Sequence, residues 1–183
     1  QRQMCIRDSL IGLSHGAKVA LAYAVNSIER VDRLVLCSVA ARFTCRGKLI
    51  VRSWLEILKN SGIEKMAWAS LAVAFGEDFL KRKEKILGAL VEAIVRRNKK
   101  EFVICQLEAM TAYPPLSKVA RNLNIPCLVI SGSDDPFVTE EGAEELAVLC
   151  GGQHKHIMRT GHSIPIERTE LFGKIVVEFL CET

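Results

Sequence analysis

The sequence has 183 residues, of which 49% are hydrophobic and 25% are charged, and its formal net charge is +4. That length fits one globular domain, and the hydrophobic share is too high for a disordered chain. No apolar run approaches the roughly 20 residues that a membrane-spanning helix needs, so we expect no membrane partner. Acidic residues adjoin both basic runs, residues 81–83 and 96–100, which favours a solvated helix surface over a nucleic-acid partner.

The cysteines give a second indication of class. Seven of them lie at positions 5, 37, 45, 105, 127, 150 and 181. They form no C-x-x-C pair, several fall within apolar runs, and their spacing is not that of a disulfide framework. We therefore expect reduced cysteines in the core of a cytoplasmic protein.

The chain begins with a short polar leader, residues 1–9. The six residues from Met4 to Ser9 can be encoded by ATG TGT ATA AGA GAC AG and one further base. That string resembles a transposase-adaptor end used in library preparation. We expect residues 1–9 to be an artefactual or disordered leader and leave them out of the predicted fold, with a genuine polar tail as the alternative.

The next segment has a serine between two glycines, Gly12-Leu13-Ser14-His15-Gly16, entered from an apolar run. A helical pattern follows over residues 17–27. In a sharp strand-to-helix turn the glycines avoid Cβ collisions, and the serine takes a strained conformation that exposes its hydroxyl. Such a motif arises by chance in about one chain in twenty of this length, so an ordinary turn remains open at this point.

A strand and a long helical block come next. Residues 31–38 predict a parallel strand, and helices are predicted over residues 48–60, 63–75, 78–97 and 100–112. No strand pattern interrupts this block, so we predict a helical lid over residues 45–115. Apolar side chains of the lid are candidates to line a substrate pocket, although their helical spacing fits the lid core equally well: Trp54, Met66, Trp68, Phe75 and Met110.

The core pattern resumes at about residue 116. Residues 125–131 predict a buried parallel strand that ends in Gly132-Ser133-Asp134-Asp135-Pro136. A helix is then predicted from the N-cap Thr139 to Leu149, with Gly151 beyond its end.

Residues 153–158 are less apolar and predict a strand near the sheet edge, which ends in Thr160-Gly161-His162-Ser163. One last amphipathic helix is predicted over residues 166–180. His154 and His156 share a strand face at a spacing that suits a metal, but no third ligand can be placed beside them. We therefore expect no metal site.

The three turns around Ser14, Asp135 and His162 together resemble the α/β-hydrolase superfamily, in which serine, acid and histidine follow in this order. The resemblance runs from Leu10 to nearly the end of the chain and is similar to lid-bearing esterases, lactonases and carbon–carbon-bond hydrolases. It implies the C-terminal half of an α/β-hydrolase fold, with a mostly parallel sheet, a helical lid insertion and a core formed by residues 10–44 and 116–183. A complete member carries several strands before its nucleophile, so the resemblance implies truncation at the N-terminus.

The same resemblance assigns roles. Ser14 is the expected nucleophile, His162 the general base and Asp135 the acid, because the family places the acid three residues after its glycine. The backbone N–H of His15 is the expected oxyanion donor, and its partner donor belongs to a loop that the chain does not carry. Losing one such donor costs roughly 3–4 kcal/mol of transition-state stabilisation, so we expect the chain as given to be nearly inactive.

These observations predict a serine hydrolase that acts on a small, apolar acyl substrate without a cofactor. An ester, thioester, lactone or carbon–carbon bond would suit the same three residues. The alternative is a non-catalytic ligand-binding receptor or pseudoenzyme on the same fold, because a fold does not determine a function. The sequence does not indicate an oligomeric state.

Overall fold

The structure is a computed structural model that describes residues 7–182, with Asn122 described by its backbone alone. Its centre is a four-stranded sheet in which all neighbouring strands run parallel. The strands follow chain order across the sheet: β1 (Asp8–Leu13), β2 (Val31–Cys37), β3 (Cys127–Gly132) and β4 (Gln153–Ile157). The predicted α/β class with a mostly parallel sheet is confirmed.

The helices account for most of the remaining chain. In order they are α1 (His15–Asn26), α2 (Cys45–Ala74), α3 (Glu77–Lys83), α4 (Leu87–Arg97), α5 (Lys100–Ala112), α6 (Leu116–Val119), α7 (Glu140–Leu149), α8 (Ile164–Glu167) and α9 (Thr169–Cys181). Short 3-10 turns lie at Ile28–Arg30, Glu84–Ile86 and Ala120–Asn122.

The two central strands are apolar because helices cover both faces of the sheet. Val35 and Leu36 of β2, and Val129 and Ile130 of β3, are fully buried. One face packs against α1 and α7, and the other against α9. Strand β4 lies at an edge, and its side chains alternate between exposed and half-buried positions before Ile157. The lower hydrophobicity of this segment had indicated that edge position.

Helix α7 begins and ends as the sequence predicts, whereas the start of α9 differs from its prediction. Thr139 caps α7 by accepting a hydrogen bond from the Gly142 N–H at 3.1 Å, and Gly151 follows at φ +64°, as predicted. The predicted final helix is α9, which begins three residues later than predicted because Arg168 leaves the helical region at φ −134° and separates α8 from α9.

The lid is helical throughout, from α2 to α5, and lies over the carboxyl edge of the sheet. Its longest helix, α2, is broken at Gly62, where φ is 86° and ψ is 173°. The sequence predicted an end at this glycine, and the two halves of α2 correspond to the first two predicted lid helices. Beyond Gly76 the predicted third helix is divided into α3 and α4.

The start of the described chain differs from the predicted leader. Asp8 and Ser9 already belong to β1, and Asp8 is in register with Val31 of β2. The Arg7 guanidinium also donates to the Val31 carbonyl at 2.7 Å. The first strand therefore begins two residues before the predicted core boundary at Leu10. Residues 1–6 of the predicted leader lie outside the described residues.

The six cysteines that the structure describes divide into two groups, and Cys5 lies outside the described residues. Cys37, Cys127 and Cys150 are buried free thiols, whereas three others are free thiols exposed on helices: Cys45, Cys105 and Cys181. The expectation of core positions is thus wrong for these three, because they occupy the solvent side of amphipathic helices. Within residues 7–182, no helix is both long enough and apolar enough to cross a membrane.

Candidate active site

Ser14 occupies a sharp turn between β1 and α1. Its backbone lies at φ 53° and ψ −114°, a strained conformation for a residue with a side chain. The Ser14 N–H donates to the Cys37 carbonyl at 2.8 Å, which ties the turn to the end of β2. A Cβ on Gly12 would lie 2.5 Å from the Ala17 Cα, so glycine is required there for the close approach of strand and helix. A Cβ on Gly16 would meet no described atom within 4 Å, so the expected steric need for the second glycine is wrong.

Three side chains from the ends of three strands meet beside this turn. The Nε2 atom of His162 lies 2.7 Å from the Ser14 Oγ, and its Nδ1 atom lies 2.7 Å from the Asp135 Oδ2. These residues follow β1, β3 and β4, and the carboxyl ends of parallel strands share one edge of a sheet. A continuous hydrogen-bonded path therefore runs from the serine hydroxyl to a carboxylate.

The two neighbouring acids have different environments. The Asp135 side chain is fully buried, and its second oxygen accepts a hydrogen bond from the Phe137 N–H at 2.8 Å. Asp134 is exposed and accepts from the Ser133 hydroxyl instead. The structure thus brings Asp135, and not Asp134, to the imidazole of His162.

The histidine turn is held in place by a residue that the sequence did not single out. The Ser38 hydroxyl donates to the His162 carbonyl at 2.6 Å from the end of β2. The ring of Phe137 packs against the imidazole at a centroid distance of 4.9 Å. Neither contact has a local sequence signal, because both partners come from distant parts of the chain.

Glu167 joins the histidine turn to the lid. Its Oε2 atom accepts hydrogen bonds from the backbone N–H groups of Gly76 and Gly161, each at 3.0 Å. The Ser163 N–H donates to the Ala74 carbonyl at 2.9 Å. Glu167 is buried, and its Oε1 atom has no hydrogen-bond partner among the described residues. The end of α2 is therefore fixed to the turn that carries His162.

The backbone N–H of His15 lies at the first position of α1, where no acceptor is available within the helix. It follows Ser14 directly, and the start of a helix favours negative charge. Burial, and then the nearby charge of Lys18, hold the pKa of the His15 side chain below its usual value. The ring packs against Tyr113 at a centroid distance of 5.4 Å.

A cavity of about 710 Å³ lies between the sheet edge and the lid, and Ser14 and His162 line its floor. Of the five predicted pocket residues, the structure places Trp54, Met66 and Met110 in its wall. Trp68 and Phe75 are not at the cavity, which corrects those two predictions.

Trp68 and Phe75 lie away from the cavity for two different reasons. Trp68 lies on the outer side of the helix with 45% of its surface exposed. Phe75 stacks on Phe79 at 4.5 Å within a separate apolar cluster of the lid. A helical repeat of apolar residues does not say which neighbours each face will meet.

The pair of histidines on β4 has a different setting. His154 Nε2 and His156 Nδ1 each lie 2.8 Å from the hydroxyl of the buried Ser131. One hydroxyl hydrogen cannot serve both rings, so one ring donates to Ser131 while the other accepts. Both rings are therefore engaged with β3.

A family model described as serine aminopeptidase, S33, matches residues 3–168. The chain belongs to this family of α/β-hydrolases. An enol-lactonase from Burkholderia xenovorans LB400 superposes with a TM-score of 0.85 and is 30% identical, covering 97% of this chain and 67% of that one. The resemblance drawn from the three turns is thereby confirmed at the level of family and fold.

Two curated relatives show the range of the family. A 2-hydroxy-6-oxononadienedioate/2-hydroxy-6-oxononatrienedioate hydrolase of Burkholderia vietnamiensis is 26% identical, over 95% of this chain and 62% of its own length. Monoacylglycerol lipase abhd6-B of Xenopus laevis is 26% identical, over 93% of this chain and 54% of its own. This chain therefore spans less than two thirds of the length of both relatives.

Proposed function

We propose that the chain carries a serine hydrolase site with Ser14 as nucleophile, His162 as general base and Asp135 as the residue that orients the imidazole. The observation that carries the proposal is the path of two 2.7 Å hydrogen bonds from the Ser14 hydroxyl through His162 to Asp135. The burial of Asp135 supports its role, because a carboxylate shielded from water interacts more strongly with the imidazolium.

The proposed reaction begins when His162 Nε2 accepts the hydroxyl proton and Ser14 Oγ bonds to the acyl carbon. The His15 N–H stabilises the negative oxygen of the resulting tetrahedral intermediate. His162 then gives its proton to the leaving group, and an acyl-serine forms. A water molecule, deprotonated by the same imidazole, releases the acid and restores the Ser14 hydroxyl.

The proposed substrate is a small molecule with an acyl group, and a carboxylic ester is our first choice. The apolar side chains of Trp54, Met66 and Met110 in the cavity wall support an apolar acyl part. The relatives are named for a lactone, a dioate and a monoacylglycerol, so a lactone or carbon–carbon bond stays within the proposal. The free thiols of the described chain are compatible with the cytoplasmic location that we expect.

We further propose that this chain turns over slowly. Among the residues that the structure describes we assign one oxyanion donor, the N–H of His15, and removing one donor from such a site costs about two to three decades in rate. A non-catalytic receptor is not our proposal, because ligand binding alone has no need for a serine, an imidazole and a buried carboxylate joined by hydrogen bonds.

The proposal is tested by labelling with a fluorophosphonate, which reacts with an activated serine and needs no turnover. We expect one phosphonyl adduct on the peptide that contains Ser14, measured by mass spectrometry. Ser14→Ala should remove the adduct, and Ser53→Ala, at an exposed position on α2, should leave it unchanged. An unlabelled Ser14 in the folded chain would contradict the proposal.

A further inference from the structure

The charge of the cavity wall is one-sided. Three basic side chains line it, Lys18, Arg42 and Lys48, and no Asp or Glu is present among the lining residues that the structure describes. The apolar lid residues therefore share the cavity with a positive potential that no acidic lining residue offsets. This charge is not needed for the attack of a serine on a neutral ester.

Lys18 is the basic residue most closely tied to the cavity. Arg42 is exposed and pairs with Glu145 at 3.2 Å, and Lys48 is exposed. Lys18 is half-buried, and no carboxylate of residues 7–182 lies within ion-pair distance of it. Its ammonium group instead lies over two aromatic rings, at 4.9 Å from the Phe43 centroid and 5.5 Å from that of Tyr113.

The surroundings of Lys18 make its charge costly. It lies one turn into α1, near the helix end that carries a partial positive charge, where an anion and not a cation is stabilised. Burial lowers the pKa of Lys18, and its charge in turn contributes to the lowered pKa of His15. Contact with two rings offsets only part of this cost. A bound anion would offset much more.

The distance from the nucleophile is suitable for one ligand to reach both groups. Lys18 lies one helical turn after Ser14, and its backbone N–H donates to the Ser14 carbonyl at 3.4 Å. The side chains of both residues line the same cavity. An acyl group on Ser14 could therefore place a second charged group, a few bonds away, against the Lys18 ammonium.

We propose that this cavity is specific for acyl substrates that carry a remote carboxylate, which Lys18 binds while the reacting carbonyl lies at Ser14. Half-esters and lactones of short dicarboxylic acids belong to this class. The inference rests on the proposed function for its reacting end, but Lys18 can be tested by binding alone. Lys18 is thus a residue that determines specificity, through charge and not through the chemical step.

The test compares two ligands of nearly equal shape, monomethyl glutarate and dimethyl glutarate, which differ by one negative charge. Their dissociation constants are measured by NMR titration in the Ser14→Ala protein, so that no ester is consumed. We expect the half-ester to bind about tenfold more tightly or better, as a charge-assisted hydrogen bond implies. Lys18→Met should remove this preference, so that the half-ester and the diester bind with equal affinity.

Two further variants make the test specific. Lys18→Arg should retain the preference, because it keeps the positive charge at the same place. Lys174→Met removes an exposed lysine of α9 and should change neither affinity. Equal affinity for both ligands in the Ser14→Ala protein that keeps Lys18 would overturn the inference. A preference for the half-ester that remains in Lys18→Met would overturn it as well. If Lys18→Met does not unfold cooperatively, Lys18→Gln replaces it. The comparison of the two ligands in the Ser14→Ala protein that keeps Lys18 then decides together with Lys18→Gln.

The outcome is separable from that of the proposed function. Tighter binding of the half-ester by the Ser14→Ala protein, together with an unlabelled Ser14 in the native chain, would contradict the hydrolase proposal and support the carboxylate site. A labelled Ser14 without any charge preference would do the reverse.

Discussion

The carboxyl edge of the sheet and the helical lid contribute to the cavity in different ways. At the sheet edge, each proposed catalytic residue lies in the turn after a strand: Ser14 follows β1 directly, Asp135 lies three residues after β3, and His162 lies five residues after β4. In the lid, Trp54, Met66 and Met110 reach the cavity through the relative orientation of long helices. The reacting groups are thus specified by short local motifs, and the binding wall by packing between distant segments.

Hydrogen bonds and ion pairs join the two regions around Glu167. The N–H of Gly76, at the end of α2, and that of Gly161, beside His162, share the same carboxylate oxygen of Glu167. Asp78 of α3 adds ion pairs to Arg159 at 3.1 Å and to Arg168 at 3.5 Å. The lid is therefore fixed to the histidine turn. A substitution that disturbs the lid at this junction should also change the reactivity of the proposed catalytic residues.

The largest effect is expected inside the sheet-edge region. Asp135→Asn should slow the phosphonylation of Ser14 by about four decades, because an amide favours the wrong tautomer of the imidazole. Asp134→Asn is the matched control and should change the rate less than about threefold, since Asp134 is exposed. Rates are measured by timed fluorophosphonate labelling, and equal losses in the two variants would contradict the assignment.

The next effect breaks the junction of the two regions. Glu167→Ala leaves two buried backbone N–H groups without an acceptor, so we expect a loss of about 2–4 kcal/mol in the free energy of unfolding. The labelling rate of Ser14 should fall as well, because the histidine turn loses its anchor. Urea unfolding measures the first and timed labelling the second. Glu170→Ala, at a nearby exposed position, should leave both unchanged.

A smaller effect is confined to the lid. Gly62 has φ 86°, so Gly62→Ala should lower the free energy of unfolding by about 1–2 kcal/mol. Gly88→Ala is the matched control in α4, where a Cβ meets no described atom and alanine is the better helix former. It should raise stability by about 0.5–1 kcal/mol. Equal shifts of the urea midpoint in the two variants would show that α2 does not need the break at Gly62.

The smallest effect returns to the sheet, at β4. Burial, and then the charge of His156, hold the pKa of His154 below its usual 6.5, against the opposite pull of Glu140 and Glu144. The unfolded chain therefore takes up the proton first as pH falls. The contribution of His154 to stability is present above about pH 6.5 and is lost progressively below it.

We accordingly expect the free energy of unfolding to fall between about pH 7.5 and about pH 5.5, measured by urea unfolding. His154→Gln should flatten this dependence, whereas Lys155→Gln, on the exposed side of the same strand, should preserve it. An unchanged slope in the His154 variant would assign the pH dependence to other groups.

The sequence was sufficient for the sheet-edge region because its signals are local. The turns around Ser14, Asp135 and His162 each follow a strand that its sequence predicts, and parallel strands bring such turns to one edge. The sequence was insufficient for contacts between distant segments. Glu167 lies in an amphipathic helical pattern, where an acidic residue predicts a solvated position, yet the N–H groups of Gly76 and Gly161 draw it inside.

The lid shows the same limit. Met66 and Trp68 are two residues apart on one helix and have equal claims to a pocket from sequence alone. Residues two positions apart on a helix are separated by about 200° around its axis, so the two side chains point in nearly opposite directions, and only Met66 lines the cavity. At the break before α9, the Arg168 side chain donates to the Thr160 hydroxyl at 3.2 Å and to the Arg159 carbonyl at 2.9 Å, and no local sequence pattern predicts these contacts.

The buried thiol of Cys37 can be used to measure how often the packing around it opens. Burial raises its pKa to about 12, so at neutral pH it is a protonated thiol that alkylating reagents do not attack. The Cys37 side chain packs with Val176 and Phe179 on the sheet face that α9 covers, so the thiol reaches solvent only when that face is uncovered. The exposed Cys45 and Cys181 react at once with an alkylating reagent. The rate at which a short alkylation pulse modifies Cys37 would therefore measure how often the protein opens locally around this thiol.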